Sequence, residues 1–396
     1  MAIAQKIRQY MHAASWIRGM FEEGLRLKQQ YGDENVFDFS LGNPVMDPPA
    51  QFYEALRYLA NDPRPGMHRY MPNVGYAETR AAIAAQLAHE TGVPFTAQHL
   101  VMVVGAAGGL NVVLKALLDP EDEVMIFSPY FVEYHFYVEN HQGVTRVVPT
   151  DTQFNLDLGA IEQALSPRTK VVLINSPNNP TGVVYPAATI KALGELLAQK
   201  QTTFGTQIYL VSDEPYKKLL FDGVTYPEIY AYYPNSLAVT SHAKDLALPG
   251  ERIGYIVIHP ACADVQELQD GFSFTNRTLG FVNAPALMQH VITRLQGVTI
   301  DVGQYERKRN LLCDNLQAMG YDLVRPQGAF YVFPRTPIPD DVAFVQALQT
   351  RRILTVPGSG FGTPGHFRIA YCVEERTIEG ALEGFRETAR EYGLSA

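Results

Sequence analysis

Residues 241–255 read Ser241-His-Ala-Lys244-Asp-Leu-Ala-Leu-Pro-Gly-Glu-Arg252-Ile-Gly-Tyr, which puts a hydroxyl, an amine and a guanidinium within one short segment. A lysine attacks carbonyl carbon once a cationic or desolvated setting lowers its pKa, and arginine is the preferred planar clamp for phosphate. A phosphorylated aldehyde cofactor needs both. Taken alone, the segment fits a solvated turn with surface charges equally well.

Two further segments leave apolar runs in a similar way. Asn175-Ser-Pro-Asn-Asn179-Pro180-Thr-Gly182 follows KVVLIN, and Val211-Ser-Asp213-Glu-Pro-Tyr216 sets a carboxylate three residues before a phenol. Side chains at the carboxyl ends of parallel strands lie where open α/β sheets bind ligands. Each segment also has a plainer reading, an Asn/Pro/Gly turn for the first and a helix-capping acid for the second. Gly105-Ala106-Ala107-Gly-Gly109 stands between VMVV and LNVVLKALL, so its amides would face an anion at a helix N-terminus. It is neither a GxGxxG fingerprint nor a P-loop.

The elements that must hold these groups are short β-branched runs alternating with helical stretches: VMVV at 101–104, EVMIF at 123–127, KVVLIN at 170–175, QIYLVS at 207–212, LAVT at 237–240 and IGYIVI at 253–258. That alternation predicts an α/β fold with a mostly parallel, helix-covered sheet. Ile7, Met11, Ile17, Phe21 and Leu25 recur at helical spacing, predicting one amphipathic helix over 5–30 ahead of a strand at Val36–Phe39. Beyond residue 280 the pattern changes. Helices are expected near 281–296 and 302–319, then strands at YDLV, AFYVF, RILTVP and HFRIAY, and a last amphipathic helix from Glu374. The expected division is a large domain over 46–285 and a smaller α+β domain built from 1–45 and 286–396, with a ligand cleft between them.

The chain has 396 residues, 46% hydrophobic and 18% charged, enough to bury a sizeable core. A formal charge of −9 argues against nucleic acid or an anionic membrane as the main partner, so any anion must be held locally. Cys262, Cys313 and Cys372 stand far apart and form neither a CxxC motif nor a Cys/His cluster, so no disulfide framework or zinc site is expected. A reducing, cytoplasmic setting is the simplest inference. No run approaches the ~20 apolar residues of a membrane span, and the first residues carry charge throughout, unlike a signal peptide.

The conjunction and order of the segments resemble the class I/II aminotransferases, pyridoxal-phosphate enzymes of fold type I and aspartate aminotransferase-like. SxxK with an arginine eight residues later, preceded by an NPxG-like segment and DExY, carries the resemblance. It implies that Lys244 forms the Schiff base with pyridoxal 5'-phosphate and later moves a proton between substrate Cα and cofactor C4′. Asp213 would pair with the pyridine nitrogen, while Asn179 and Tyr216 would bond the 3′-oxygen. The amides after Gly105, at Ala106 and Ala107, together with Ser241 and Arg252, would hold the phosphate. Tyr70 in HRYMPNVG would reach that phosphate from the neighbouring subunit, making the protein a homodimer with shared sites. Phe131 in SPYFVEY would stack on the ring. Arg368 in GHFRIAY would fork the substrate α-carboxylate, with Asn179 and the Gly42 loop beside it. Ala107 departs from the Ser, Thr or Lys usual nearby, and Ala243 stands where Ser is frequent.

The activity so implied is two-step transfer of an amino group from an L-amino acid to a 2-oxo acid. A carbon–sulfur lyase or another eliminating enzyme of the same fold would keep the same residues. A ligand-sensing module of a transcription regulator would need an added basic domain, for which the chain has no spare length. A nicotinamide oxidoreductase would need its glycine cluster to open a βαβ unit, whereas GSGFG at 358–362 lies late, between two short strands. Arg277 in FSFTNRTLG falls near the region from which some aspartate-specific relatives send an arginine across the subunit interface to an acidic substrate side chain; it also reads as a surface helix charge.

Overall fold

The computed structural model describes residues 2–13 and 15–394, without the side chains of 12–18, 20 and 21. In chain order its strands are β1 (Phe37–Asp38), β2 (Leu100–Val103), β3 (Glu123–Ser128), β4 (Val144–Pro149), β5 (Thr169–Asn175), β6 (Tyr209–Asp213), β7 (Ser236–Ser241), β8 (Gly254–Ile258), β9 (Tyr331–Val332), β10 (Ile353–Leu354), β11 (Val356–Pro357) and β12 (Phe367–Ala370).

Seven of these form one sheet in the order β2-β8-β7-β6-β5-β3-β4. Strand β8 runs antiparallel to both β2 and β7, and every other pair is parallel. Helices cover both faces, which is why the inner strands read as unbroken Val/Ile/Leu runs. All four residues of β2 and all five of β8 are buried. The register aligns Asn175 with Asp213, Asp213 with Val239 and Ser241 with Gly254. Val103 also pairs with Gly254, so Gly105 leaves the sheet at the same end. The polar segments singled out above therefore finish side by side along one edge.

A second core gathers residues from both chain ends, among them Phe39, Leu312, Phe330, Phe344, Phe367, Ile378 and Phe385. Strand β1 pairs parallel with β10, and β11-β12-β9 make a small antiparallel sheet. The Ala286–Arg294 helix, which begins at the expected domain boundary, places Met288, Val291 and Ile292 in the core of the large sheet.

Local expectations differ from the structure in three places. The helix predicted over 5–30 is two helices, Gln5–Ala13 and Ser15–Tyr31. Ile7, Met11 and Leu25 are exposed, while the side chains of Ile17 and Phe21 lie outside those described. YDLV is not a strand; it is an irregular stretch after the Val302–Ala318 helix. Conversely β4 was not anticipated: VTRVVP is an edge strand with only Val148 buried, and Thr145 and Arg146 break its apolar run. GSGFG forms a single 3₁₀ turn, Gly358–Phe361, between β11 and β12, not the opening of a βαβ unit. No helix among the described residues is long and apolar enough to cross a membrane.

Candidate active site

The aligned strand ends open on a cavity of about 340 Å³ between the two cores. Gly42, Ala106, Ala107, Phe131, Asn179, Asp213, Tyr216, Ser241, Lys244, Arg252 and Arg368 all line it. Two expected residues stand elsewhere. Gly105 sits behind the lining, and Tyr70 lies 90% exposed on the loop between the Ala50–Asn61 and Ala77–Thr91 helices. Arg277 is exposed in the last turn of the Val265–Thr278 helix, its guanidinium 5.4 Å from the Phe274 ring centroid, and does not line the cavity.

Lys244 sits in the short helix His242–Asp245 that follows β7 directly. Its Nζ donates a 2.6 Å hydrogen bond to the Gly42 carbonyl and lies 5.2 Å from the Phe330 ring centroid. Burial lowers its pKa to about 8; Cys372 opposes the shift and the charges of Arg368 and Arg252 add to it. A neutral amine is therefore accessible near physiological pH, as a nucleophile or a proton acceptor requires.

Asp213 ends β6, fully buried. Tyr134 Oη donates to its Oδ2 at 2.6 Å, but Oδ1 is buried with no partner. Burial raises its pKa to about 7, with the Tyr134 bond working against the rise and Glu214 adding to it. A buried carboxylate oxygen lacking a donor is costly and fits a cationic N–H placed before it. Asn175 braces both neighbours, donating to the Asp213 carbonyl at 2.9 Å and accepting the Asn179 N–H at 2.7 Å.

Arg368, on β12, is wholly buried. Nη1 donates to Asn179 Oδ1 at 3.1 Å and Nη2 to the Ser40 carbonyl at 2.6 Å, while Nε has no partner. The guanidinium lies 4.8 Å from the ring centroids of both Tyr331 and Phe361. A guanidinium so enclosed by neutral acceptors retains donor capacity for a carboxylate.

At the opposite wall begins the Gly105–Leu117 helix. Gly105 has φ +77°, a backbone conformation that favours glycine, and Arg252 Nη2 would lie 2.8 Å from a Cβ built there, which puts the guanidinium beside the helix terminus. Arg252 thus stands at the positive end of that helix dipole, with Ser241 lining the same cavity, groups that suit an anion such as phosphate. Gly42 is required by close approach: a side chain there would run into Tyr331 Oη.

Several residues of the site carry little signal in the sequence: Tyr134, which supports Asp213 without lining the cavity, and the lining residues Tyr331, Glu133 and Tyr137. Tyr134 holds Asp213; Tyr331 Oη meets Tyr216 Oη at 2.8 Å; Glu133 and Tyr137 are part of the cavity lining. Only the position of Tyr134, three residues past Phe131 in SPYFVEY, hinted at a role.

An amine of lowered pKa, an unpartnered buried acid, a helix N-terminus and a buried arginine share one cavity at the end of a mainly parallel sheet, the set of groups a phosphorylated aldehyde cofactor would need. The comparisons agree with that class. Residues 34–385 match the family model of aminotransferase class I and II, and the chain belongs to that family, whose members depend on pyridoxal phosphate. It is 34% identical over 374 residues to the aspartate/prephenate aminotransferase of Thermus thermophilus, covering 92% of this chain and 93% of that one. The aromatic-amino-acid aminotransferase 2 of Thermococcus litoralis is 28% identical, with 92% and 94% covered. The crystal structure of an amino transferase from Eubacterium rectale superposes with a TM-score of 0.96 at 38% identity, covering 99% of each chain. The chain is an aminotransferase.

Proposed function

We propose that the cavity around Lys244 binds pyridoxal 5'-phosphate and moves an amino group from an L-amino acid to a 2-oxo acid. The observation that carries this reading is Asp213 Oδ1, buried and unpartnered in the same cavity as an amine of lowered pKa. When bound, the cofactor supplies an electron-withdrawing ring that stabilises negative charge at the substrate Cα. Asp213 offers a carboxylate to a protonated ring nitrogen, and Tyr134 fixes that carboxylate's orientation. Tyr216 and Asn179 offer hydrogen bonds to the ring oxygen, and Phe131 offers an apolar face. Ser241, Arg252 and the amides of Ala106 and Ala107 hold the phosphate. Arg368, set by Asn179 and the Ser40 carbonyl, receives the α-carboxylate beside the Gly42 loop. Lys244 Nζ, which already reaches the Gly42 carbonyl, would take the proton from the substrate Cα and deliver it to the cofactor carbon C4′.

With one amino acid and no acceptor, the holoenzyme is expected to release about one equivalent of 2-oxo acid per site and stop, resuming only when a 2-oxo acid is added. Product analysis by mass spectrometry checks this. Continuous release of pyruvate and ammonia from the donor alone would favour the eliminating alternative instead.

A homodimer fits the surface. Tyr70 is 90% exposed, and Ile7, Met11, Leu25 and Phe274 also face outward. Tyr70 would complete the phosphate site of the partner subunit. Sedimentation equilibrium should give about twice the 44.1 kDa mass of one chain, and Tyr70→Phe should weaken pyridoxal phosphate binding about tenfold. A fully active monomer would sink the shared-site idea. Three buried, free thiols fit a reducing, cytoplasmic setting.

A further inference from the structure

The one-turn helix His242–Asp245 presents two faces. Ser241, Ala243 and Lys244 line the active cavity, whereas His242 and Asp245 do not. Those two line a separate space of about 20 Å³ behind the helix, together with Glu90, Lys218 and Tyr255. His242 Nδ1 lies 3.1 Å from Asp245 Oδ2, and both side chains are 8% exposed. A carboxylate can only accept, so Nδ1 carries the proton and donates. The imidazole packs against the Tyr255 ring, with centroids 5.7 Å apart. Lys218 Nζ stands 4.0 Å from Asp245 Oδ2 and 3.9 Å from Glu90 Oε1, so the carboxylate faces a cation on this side as well.

A single turn of helix does not hold itself, because nucleation fixes several residues for one hydrogen bond. The usual N-terminal brace is missing here as well: Ser241 is the N-cap, yet its side chain makes no capping bond and lines the cavity instead. The bond from position 242 to position 245 closes the turn from behind, with Lys244 between its ends. The Asp245 carbonyl accepts the Ile300 N–H at 2.9 Å and the Thr299 hydroxyl at 3.0 Å, which ties the same residue to the segment after the Ala286–Arg294 helix. We propose that His242 and Asp245 are positioning residues: their side-chain hydrogen bond fixes the turn so that the Lys244 amine meets the cofactor and the substrate Cα. The role is geometric and not electrostatic. Burial, Cys372, Arg368 and Arg252 set the charge balance of the Lys244 amine, and Asp245, although adjacent, is not among them.

This role rests on the amino-transfer reading for its kinetic test, and a second test on the cofactor-free protein keeps the two apart. Competitive acetylation with acetic anhydride, read by mass spectrometry, follows the reactivity of the Lys244 amine against pH. The wild-type midpoint should lie at about pH 8. In Asp245→Ala the loosened turn should let the amine reach water, moving the midpoint up toward the ordinary lysine value of about 10.4. Removing a nearby negative charge would by itself lower a lysine pKa, so an upward move reports displacement. Asp245→Asn loses the charge but keeps an acceptor for Nδ1–H, and its midpoint should stay at about pH 8. In the holoenzyme, kcat per bound pyridoxal phosphate is measured with alanine, aspartate and phenylalanine as donors and 2-oxoglutarate as acceptor. Asp245→Ala and His242→Ala should each lower kcat about a hundredfold with KM within about threefold, since misplacement by about 1 Å costs that much. The double variant leaves neither partner buried alone and should be no worse than either single change, while Asp245→Asn should stay within about threefold of the wild type. Counting bound cofactor removes any loss of folded enzyme from the comparison. Lower stability with an unchanged midpoint and unchanged kcat would make the pair a structural contact only and overturn its positioning role; so would an Asp245→Asn variant that behaves like Asp245→Ala. A wild type that converts no donor would remove the amino-transfer reading, and the acetylation midpoints would still decide whether the pair places the amine.

Discussion

Lys244→Ala is expected to lower kcat for amino transfer by about four orders of magnitude or more while leaving the fold intact. A positioned general base alone is worth about 10²–10⁴ in rate, and the same amine, with its lowered pKa, is also the cavity's candidate nucleophile. Stability should change little, because two effects oppose each other. Burial lowers the Lys244 pKa to about 8, so keeping the charged amine in the folded state near neutrality costs about 3 kcal/mol relative to the unfolded chain. Removing its stem from beside Phe330 and Tyr216 forfeits roughly 0.8 kcal/mol per buried methylene, a similar total. The pH dependence separates the two terms. Because the folded pKa lies below the unfolded one, the folded protein binds fewer protons between about pH 8 and 10.4, and wild-type stability rises across that window. Lys244→Ala should lack that rise. Single-turnover kinetics and denaturation midpoints at pH 7 and 10 check both parts. A variant retaining more than about 1% of kcat would show that another group moves the proton.

The sheet was legible because its inner strands are buried on both faces, so apolar runs such as KVVLIN stand out between polar strand ends. The same cause made β4 illegible: at the sheet edge only Val148 needs to be buried, and the Thr145-Arg146 pair looks like loop. YDLV erred in the other direction. An apolar run finds no strand partner there, and Tyr321 is instead buried against Phe344, Phe367 and Phe385. In the site, Lys244, Arg252, Asp213 and Asn179 were visible as scarce polar types at strand ends. Tyr134 and Tyr331 were not. Their partners Asp213 and Tyr216 lie 79 and 115 residues away, and a single tyrosine among 22 carries no mark of such a contact. Glu133 was hidden for a related reason: a glutamate before a short helix reads as an exposed cap, and only the fold turns it toward a cavity.

Asp213→Asn should make the cofactor-free protein more stable above pH 7 and at the same time cripple the enzyme. In the wild type the Asp213 pKa is raised to about 7 by burial, with Oδ1 lacking any donor, against about 3.9 in the unfolded chain. The folded state therefore binds more protons than the unfolded state between those values, so stability falls as pH rises from about 4 to about 7 and is level above that. The full difference corresponds to about 4 kcal/mol, an upper limit if water reaches Oδ1. An asparagine cannot ionise, and its Oδ1 can still accept the Tyr134 hydroxyl, so the variant should show none of this decline. Its amide would then turn N–H donors toward the cavity, where the wild type presents an acceptor. A cationic ring N–H arriving there would meet a donor, so pyridoxal phosphate should bind more weakly and kcat should fall by about 10²-fold or more. On the proposed reading, the same ring N–H would supply the missing partner of Oδ1 in the wild type and hold the carboxyl ionised. Saturating cofactor should therefore abolish the pH 4–7 decline, over and above the uniform gain expected from any ligand that binds only the folded state. Denaturant midpoints at pH 4.5, 6 and 8, with and without pyridoxal phosphate, measure each of these differences. A decline that persists unchanged in the cofactor-loaded wild type would place the ring nitrogen away from Asp213.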